Sequence, residues 1–154
     1  MKTRIVFTLS ICLLLAAACA PAPATTSTAN WQTYSNPAGF SIQYPSSWTQ
    51  QQLPDQADGA IHAVKLQGTE GYVELQWGVG FGGACPQGYT TVKVAQGELP
   101  ACYTKNADGT ETWTQINKQL TSTTGFSGFA GTYNAVPASH DLVLQVLSTL
   151  SFSK

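Results

Sequence analysis

The sequence predicts an α+β domain: a largely antiparallel, twisted sheet with helices packed on it, the last of them at the carboxy terminus. Three observations predict it. Apolar and polar residues alternate in short runs such as Phe40-Ser-Ile42-Gln-Tyr44 and Tyr72-Val73-Glu-Leu75-Gln-Trp77, which is the period of a half-buried strand. Turn-forming stretches separate these runs: Asn36-Pro-Ala-Gly39, Gly68-Thr-Glu-Gly71 and Asp108-Gly109. Near the end the period changes, and Leu142, Val143, Val146, Leu147 and Leu150 make one broad helical face.

The chain opens with Met1-Lys2-Thr3-Arg4, then an apolar run from Ile5 to Leu15 broken only by Thr8 and Ser10. A basic start followed by a short apolar core is a secretory signal. The run is too short for a membrane-spanning helix, which needs about twenty apolar residues. It ends on Leu15-Ala16-Ala17-Ala18-Cys19, which resembles a bacterial lipoprotein signal. The resemblance implies that the Cys19 thiol receives a diacylglycerol and that residues 1–18 are removed as a signal peptide. An ordinary secretory signal cut near Ala20 or Ala22 is the competing expectation. Residues 19–30 (Cys-Ala-Pro-Ala-Pro-Ala-Thr-Thr-Ser-Thr-Ala-Asn) have no apolar periodicity and read as a lipid-anchored, extended tether. Residues 31–154 remain for one domain, long enough to bury a core.

Within it, Trp31 to Asn36 reads as a short strand, and Phe40 to Tyr44 as a second that Pro45-Ser-Ser-Trp48 ends. Leu53 to Gly59, with Pro54, Asp55 and Asp58, reads as a polar loop. Ala60 to Gln67 and Tyr72 to Trp77 form an antiparallel hairpin with one buried face. Gly78 to Pro86 is irregular. Its Gly78, Gly80 and Gly83 follow a strand at dinucleotide-like spacing, yet the loop runs into Cys85-Pro86 instead of a helix. Tyr89 to Ala95, with Val92 and Val94 inward, and Glu98 to Lys105 read as strands. Thr110 to Leu120 begins as a strand and is open to a helical continuation from Trp113. Phe126 to Tyr133 is a Gly-rich strand suited to an edge. Ser139 is expected to cap the last helix, with Asp141 near its positive end.

Two stretches carry a second resemblance. Trp31-x-x-Tyr34-x-Asn36 with Gly39-Phe40-Ser41-Ile42-x-Tyr44-Pro45-x-x-Trp48 looks like the opening of the PsbP-like domains of bacterial lipoproteins. Leu144-x-x-Leu147-Ser148-Thr149-Leu150-x-Phe152 is similar to that family's closing helix and strand. The resemblance implies the PsbP-like fold for residues 31–154. It carries over no residue of function, because fold does not fix function.

The cysteines divide by position. Cys12 lies in the signal, and the lipoprotein resemblance implies that Cys19 is the lipid acceptor, which leaves Cys85 and Cys102 to read as a disulfide in an oxidising compartment. Closing that loop is worth about 3 kcal/mol in the chain-entropy model. A metal-binding or catalytic thiol pair would want histidine or further cysteine in the loop, and the loop has neither.

Only 10% of residues are charged. Without the signal, five lysines face eight acids, a net charge of −3, which excludes a basic footprint for nucleic acid. Ser139-His140-Asp141 contains the residue types of a catalytic triad, but neighbouring helix positions diverge and cannot form its relay. Gly125-Phe-Ser127-Gly128 lacks the spacing of a nucleophile elbow. The two histidines, His62 and His140, have no partner at metal-ligand spacing, and Asp55 and Asp58 lack a calcium-loop array. Trp48 and Trp77 are assigned to the core. Phe81 and Tyr89, beside the Gly-rich loop, are the candidate contact residues for a ligand or partner.

The expectation is therefore a non-catalytic module with no cofactor and no metal. It is tethered outside the cytoplasm to the cell membrane, or to the outer membrane of a Gram-negative envelope, and binds an envelope protein or small ligand. A hydrolase of envelope carbohydrate or ester is the enzymatic alternative, and a purely structural surface protein the third. Two carboxylates, or a serine and a histidine, converging in one cleft would favour the hydrolase.

Overall fold

A computed structural model describes residues 27–153. The signal at 1–18, Cys19 and the tether up to residue 26 lie outside the described residues. Trp31 begins β1 (Trp31–Asn36), which pairs antiparallel with β2 (Phe40–Pro45) across the expected Asn36–Gly39 turn. The chain then enters a seven-stranded antiparallel sheet. Its strands are β3 (Thr49–Gln56), β4 (Ile61–Gln67), β5 (Gly71–Gly78), β6 (Tyr89–Val94), β7 (Gly97–Lys105), β8 (Glu111–Gln119) and β9 (Gly125–Thr132). Their spatial order is β3-β4-β5-β9-β8-β7-β6. Helix α1 (Pro137–Ser148) and β10 (Ser151–Phe152) follow, and β10 returns to pair with β2.

The expectation of an α+β fold with packed helices is overturned. The described residues form two antiparallel sheets and one 12-residue helix. The period-two pattern runs through nearly the whole domain, and only the carboxy-terminal stretch has a helical face. The stretch from Trp113, open to helix by sequence, stays in β8 as far as Gln119 through a bulge between Trp113 and Ile116, where Gln115 takes a positive φ of 56°.

Three element assignments change with it. Thr49–Gln56 is a strand that merges into the expected loop, and its polar residues do not alternate because it lies at the sheet's edge. Only Leu53 is half-buried there; the rest is exposed. Pro54 and a bulge between Leu53 and Gln56 interrupt it, a pattern that protects an edge from further pairing. β9 is central instead of at an edge. Its glycines accommodate aromatic rings laid across the strand: a Cβ at Gly131 would stand 2.8 Å from the ring of Tyr72. Finally, α1 starts earlier than expected, with Val136 as its cap residue and Pro137 in its first position. Ser139 is buried inside the helix and makes no cap, and the first turn holds no acid.

The core lies between the sheets and the helix. Val64, Leu66, Val73, Leu75, Ile116 and Ala130 of the larger sheet share one buried cluster with Val143, Val146, Leu147 and Leu150, all fully or almost fully buried. Trp48 is buried and Trp77 packs half-buried against the same core. Phe126 of β9 joins the sheets: its ring lies 5.0 Å from Phe40 of β2 and 5.1 Å from Phe152 of β10. Thr149 fixes the helix end, its hydroxyl accepting from the Gln43 amide at 2.8 Å.

Phe126→Ala is expected to cost about 3–5 kcal/mol, the range for emptying a buried aromatic site. Urea unfolding should show this as a lower midpoint with unchanged slope; a loss below about 1 kcal/mol would remove Phe126 from its joining role.

Candidate functional site

The Gly-rich loop springs from Gly78, whose φ of 144° and close approach to Ala60 leave no room for a side chain; a Cβ would stand 2.0 Å from the Ala60 carbonyl oxygen. The loop runs over the end of β8 and reaches β6, so the dinucleotide-like spacing has no helix behind it. Cys85 and Cys102 form a disulfide with Cα atoms 5.2 Å apart, which pins the loop to β7. Two polar contacts add to it. Tyr89 donates its hydroxyl to the Gly83 carbonyl at 3.1 Å, and Gln115 reaches the Ala84 carbonyl at 3.4 Å.

Phe81 lies over Gly125, where a Cβ would come within 3.0 Å of its ring. Beneath it is a cavity of about 190 Å³ lined by Gly80, Phe81, Asn117, Lys118, Gly125 and Phe126, among others. The structure does not join the two aromatic contact candidates in this cavity. Tyr89 is 61% exposed and stands opposite Cys102, away from the lining.

A second cluster forms where α1 meets β8. Alternation along β8 puts Glu111 on the buried face with Trp113 and Ile116. Both of its carboxylate oxygens are engaged. Tyr103 donates to Oε1 at 2.6 Å, with the Lys105 ammonium at 3.5 Å, and His140 Nδ1 meets Oε2 at 2.5 Å. The hydrogen bond from Tyr103, aided by His140 and Lys105, holds the Glu111 carboxyl below the usual glutamate value; the same bond raises the Tyr103 hydroxyl. Trp113 packs against both the Tyr103 and the His140 rings. An adjoining cavity of about 180 Å³ is lined by Lys105, Glu111, His140 and Asp141.

His140 turns its Nδ1 to Glu111, while Ser139 is buried in the helix, so Ser139, His140 and Asp141 do not act as a relay. Glu111 and Asp141 do line one cavity. Glu111, however, is held ionised with both oxygens occupied, and so is a poor proton donor. His62 pairs with Asp55 at 2.8 Å on the surface, and its ring lies tilted 5.6 Å from that of Trp77. Among the described residues no three histidine, cysteine or acidic side chains are grouped to hold a metal. No helix there is long and apolar enough to cross a membrane.

Sequence reasoning missed Glu111, Gln115 and Asn117. An acid in phase with Trp113 was a legible sign of burial with a partner; the bulge that redirects Gln115 left no such sign. No protein-family model, curated protein or solved structure matches the chain.

Because its folded pKa is depressed, Glu111 contributes stability that is present above the unfolded glutamate pKa and lost as pH falls through the folded value. Glu111→Gln should therefore cost about 1.5–3 kcal/mol near neutrality, the worth of hydrogen bonds to a charged group. Thermal unfolding followed from pH 7 into the acid range should show the two proteins converging. Curves that stay parallel would mean that the carboxylate is not the group that matters.

Proposed function

We propose that the protein is a lipid-tethered, extracytoplasmic binding or assembly module rather than an enzyme. The observation that carries this reading is the Cys85–Cys102 disulfide. Such bonds persist in exported proteins and are rare in a reducing cytosol. The amino-terminal Leu15-Ala-Ala-Ala-Cys19 and the Pro- and Thr-rich stretch after it supply the matching address and spacer. A diacylated cysteine anchors firmly, since each buried CH₂ adds about 0.8 kcal/mol and two chains act together.

The two stretches behind the PsbP-like resemblance do meet, Phe40 and Ser41 of the first pairing with Phe152 and Ser151 of the second. The α+β fold with packed helices that the resemblance implies is not, however, the fold of the described residues, and the resemblance is no part of the proposal. The non-catalytic character is supported by the engagement of Glu111, which spends the most buried carboxylate on holding the helix. The expected partners are the membrane, through the lipid, and an envelope protein or small ligand at the face carrying the Gly-rich loop.

Intact mass of the protein taken from its native membrane tests the reading, with alkylation before and after reduction. A diacylglycerol-sized addition at Cys19, and alkylation of Cys85 and Cys102 only after reduction, are the expected results. An unlipidated Cys19 would overturn the tether, and free thiols at Cys85 and Cys102 would overturn the export argument.

A further inference from the structure

Two side-chain amides on β8 are left in an unusual condition. Gln115 Oε1 and Asn117 Oδ1 are shut off from solvent and meet no hydrogen-bond donor. Each such buried acceptor costs about 1–3 kcal/mol, and few are tolerated in a folded protein. Gln115 adds backbone strain through its positive φ of 56°. All three costs fall under one loop. Gln115 presses on Gly83, where a Cβ would stand 2.4 Å from Oε1, and Asn117 lines the cavity beneath Phe81. The loop has Gly at 80, 82 and 83, and is fixed at its ends by Gly78 and by the disulfide at Cys85.

We propose that the cavity beneath Phe81 is a binding subsite for one ring of a neutral saccharide, with residues 79–88 as its cover. When the cover shifts, sugar hydroxyls donate to Asn117 Oδ1, whose residue lines the cavity, and to Gln115 Oε1, which lies beside the lining under Gly83 and is uncovered with it, while the ring's C–H edge lies on Phe81. The chemistry selects this class. Orphaned acceptors call for donors, and a hydroxyl donates while still accepting from neighbouring amides. An apolar ligand would leave both oxygens unpaired. A cation would want carboxylates, and none lines the cavity, while an anion would find one ammonium, Lys118. The volume of about 190 Å³ suits a single sugar ring rather than a larger ligand.

The inference rests on the reading of the chain as a binding module, and its test is kept separate from the test of the tether. The full chain in a sugar-free zwitterionic detergent is titrated by calorimetry with an N-acetylglucosamine trisaccharide, maltotriose and inorganic phosphate. Saturable binding of a saccharide is expected, weakened about tenfold by Phe81→Ala, the scale of an aromatic contact. Asn117→Leu should weaken it similarly while leaving the melting temperature unchanged or higher, because it removes an unpaired acceptor. Lys93→Ala, exposed on β6 and outside the lining, should leave saccharide binding intact. Binding of phosphate alone, saccharide binding indifferent to both Phe81 and Asn117, or no binding of either saccharide would overturn the subsite. A chain that carries lipid at Cys19 yet binds no sugar would overturn the subsite and leave the tethered module standing.

Discussion

Phe126 stands between Phe40 and Phe152, and through that contact the segment that starts the domain and the segment that ends it share one ring. The smaller sheet is otherwise thin: β1, β2 and a two-residue β10. It could not stand alone in water, because two or three short strands bury too little. Packed on Phe126, it closes the core over α1 and the larger sheet. The position of β9 follows from the same constraint. β9, which presents Phe126 to the smaller sheet, lies inside the larger one with β5 on one side and β8 on the other, and Trp77 of β5 packs on Phe40 beside it.

Placing β9 centrally also explains where the unusual features collect. β8 is its neighbour, and the bulge that interrupts their pairing between Trp113 and Ile116 turns Gln115 toward the Gly-rich loop. On one side of that bulge Glu111 holds the helix through His140; on the other Asn117 opens onto the Phe81 cavity. One half of the strand is thus committed to stability, with every oxygen of its acid occupied. The other half carries unpaired acceptors and strain beneath a cover. That division is why the proposed ligand site is set on the loop face and not at the Glu111 cluster.

Much of the strand content was legible because it is local. The hairpin of β4 and β5, the Asp108-Gly109 turn and the inward Val92 and Val94 all follow from alternation and turn chemistry. The disulfide was legible by subtraction of the other cysteines. What could not be read was set by non-local packing. β3 does not alternate because an edge strand has solvent on both faces, and β9 looked like an edge because its glycines answer to Tyr72 and Phe81 from elsewhere in the chain. The helix start was misplaced because Ser139 is a good cap by type, whereas Val136-Pro137 sets the start through fixed backbone angles. The Phe81 candidate was reachable from the sequence; the amides opposite it depend on a bulge that no residue type announces.

The loop from residue 79 to 88 is tied to β7 by Cys85–Cys102, apart from the core that Phe126 closes. Hydrogen exchange measured on the oxidised and the reduced protein tests it most directly, since local opening and global unfolding leave different amides protected. Reducing Cys85–Cys102 is expected to speed exchange across residues 79–88 while β2, β9 and α1 keep their protection. Loss of protection throughout the domain would contradict it, because the disulfide would then be holding the core and not the cover.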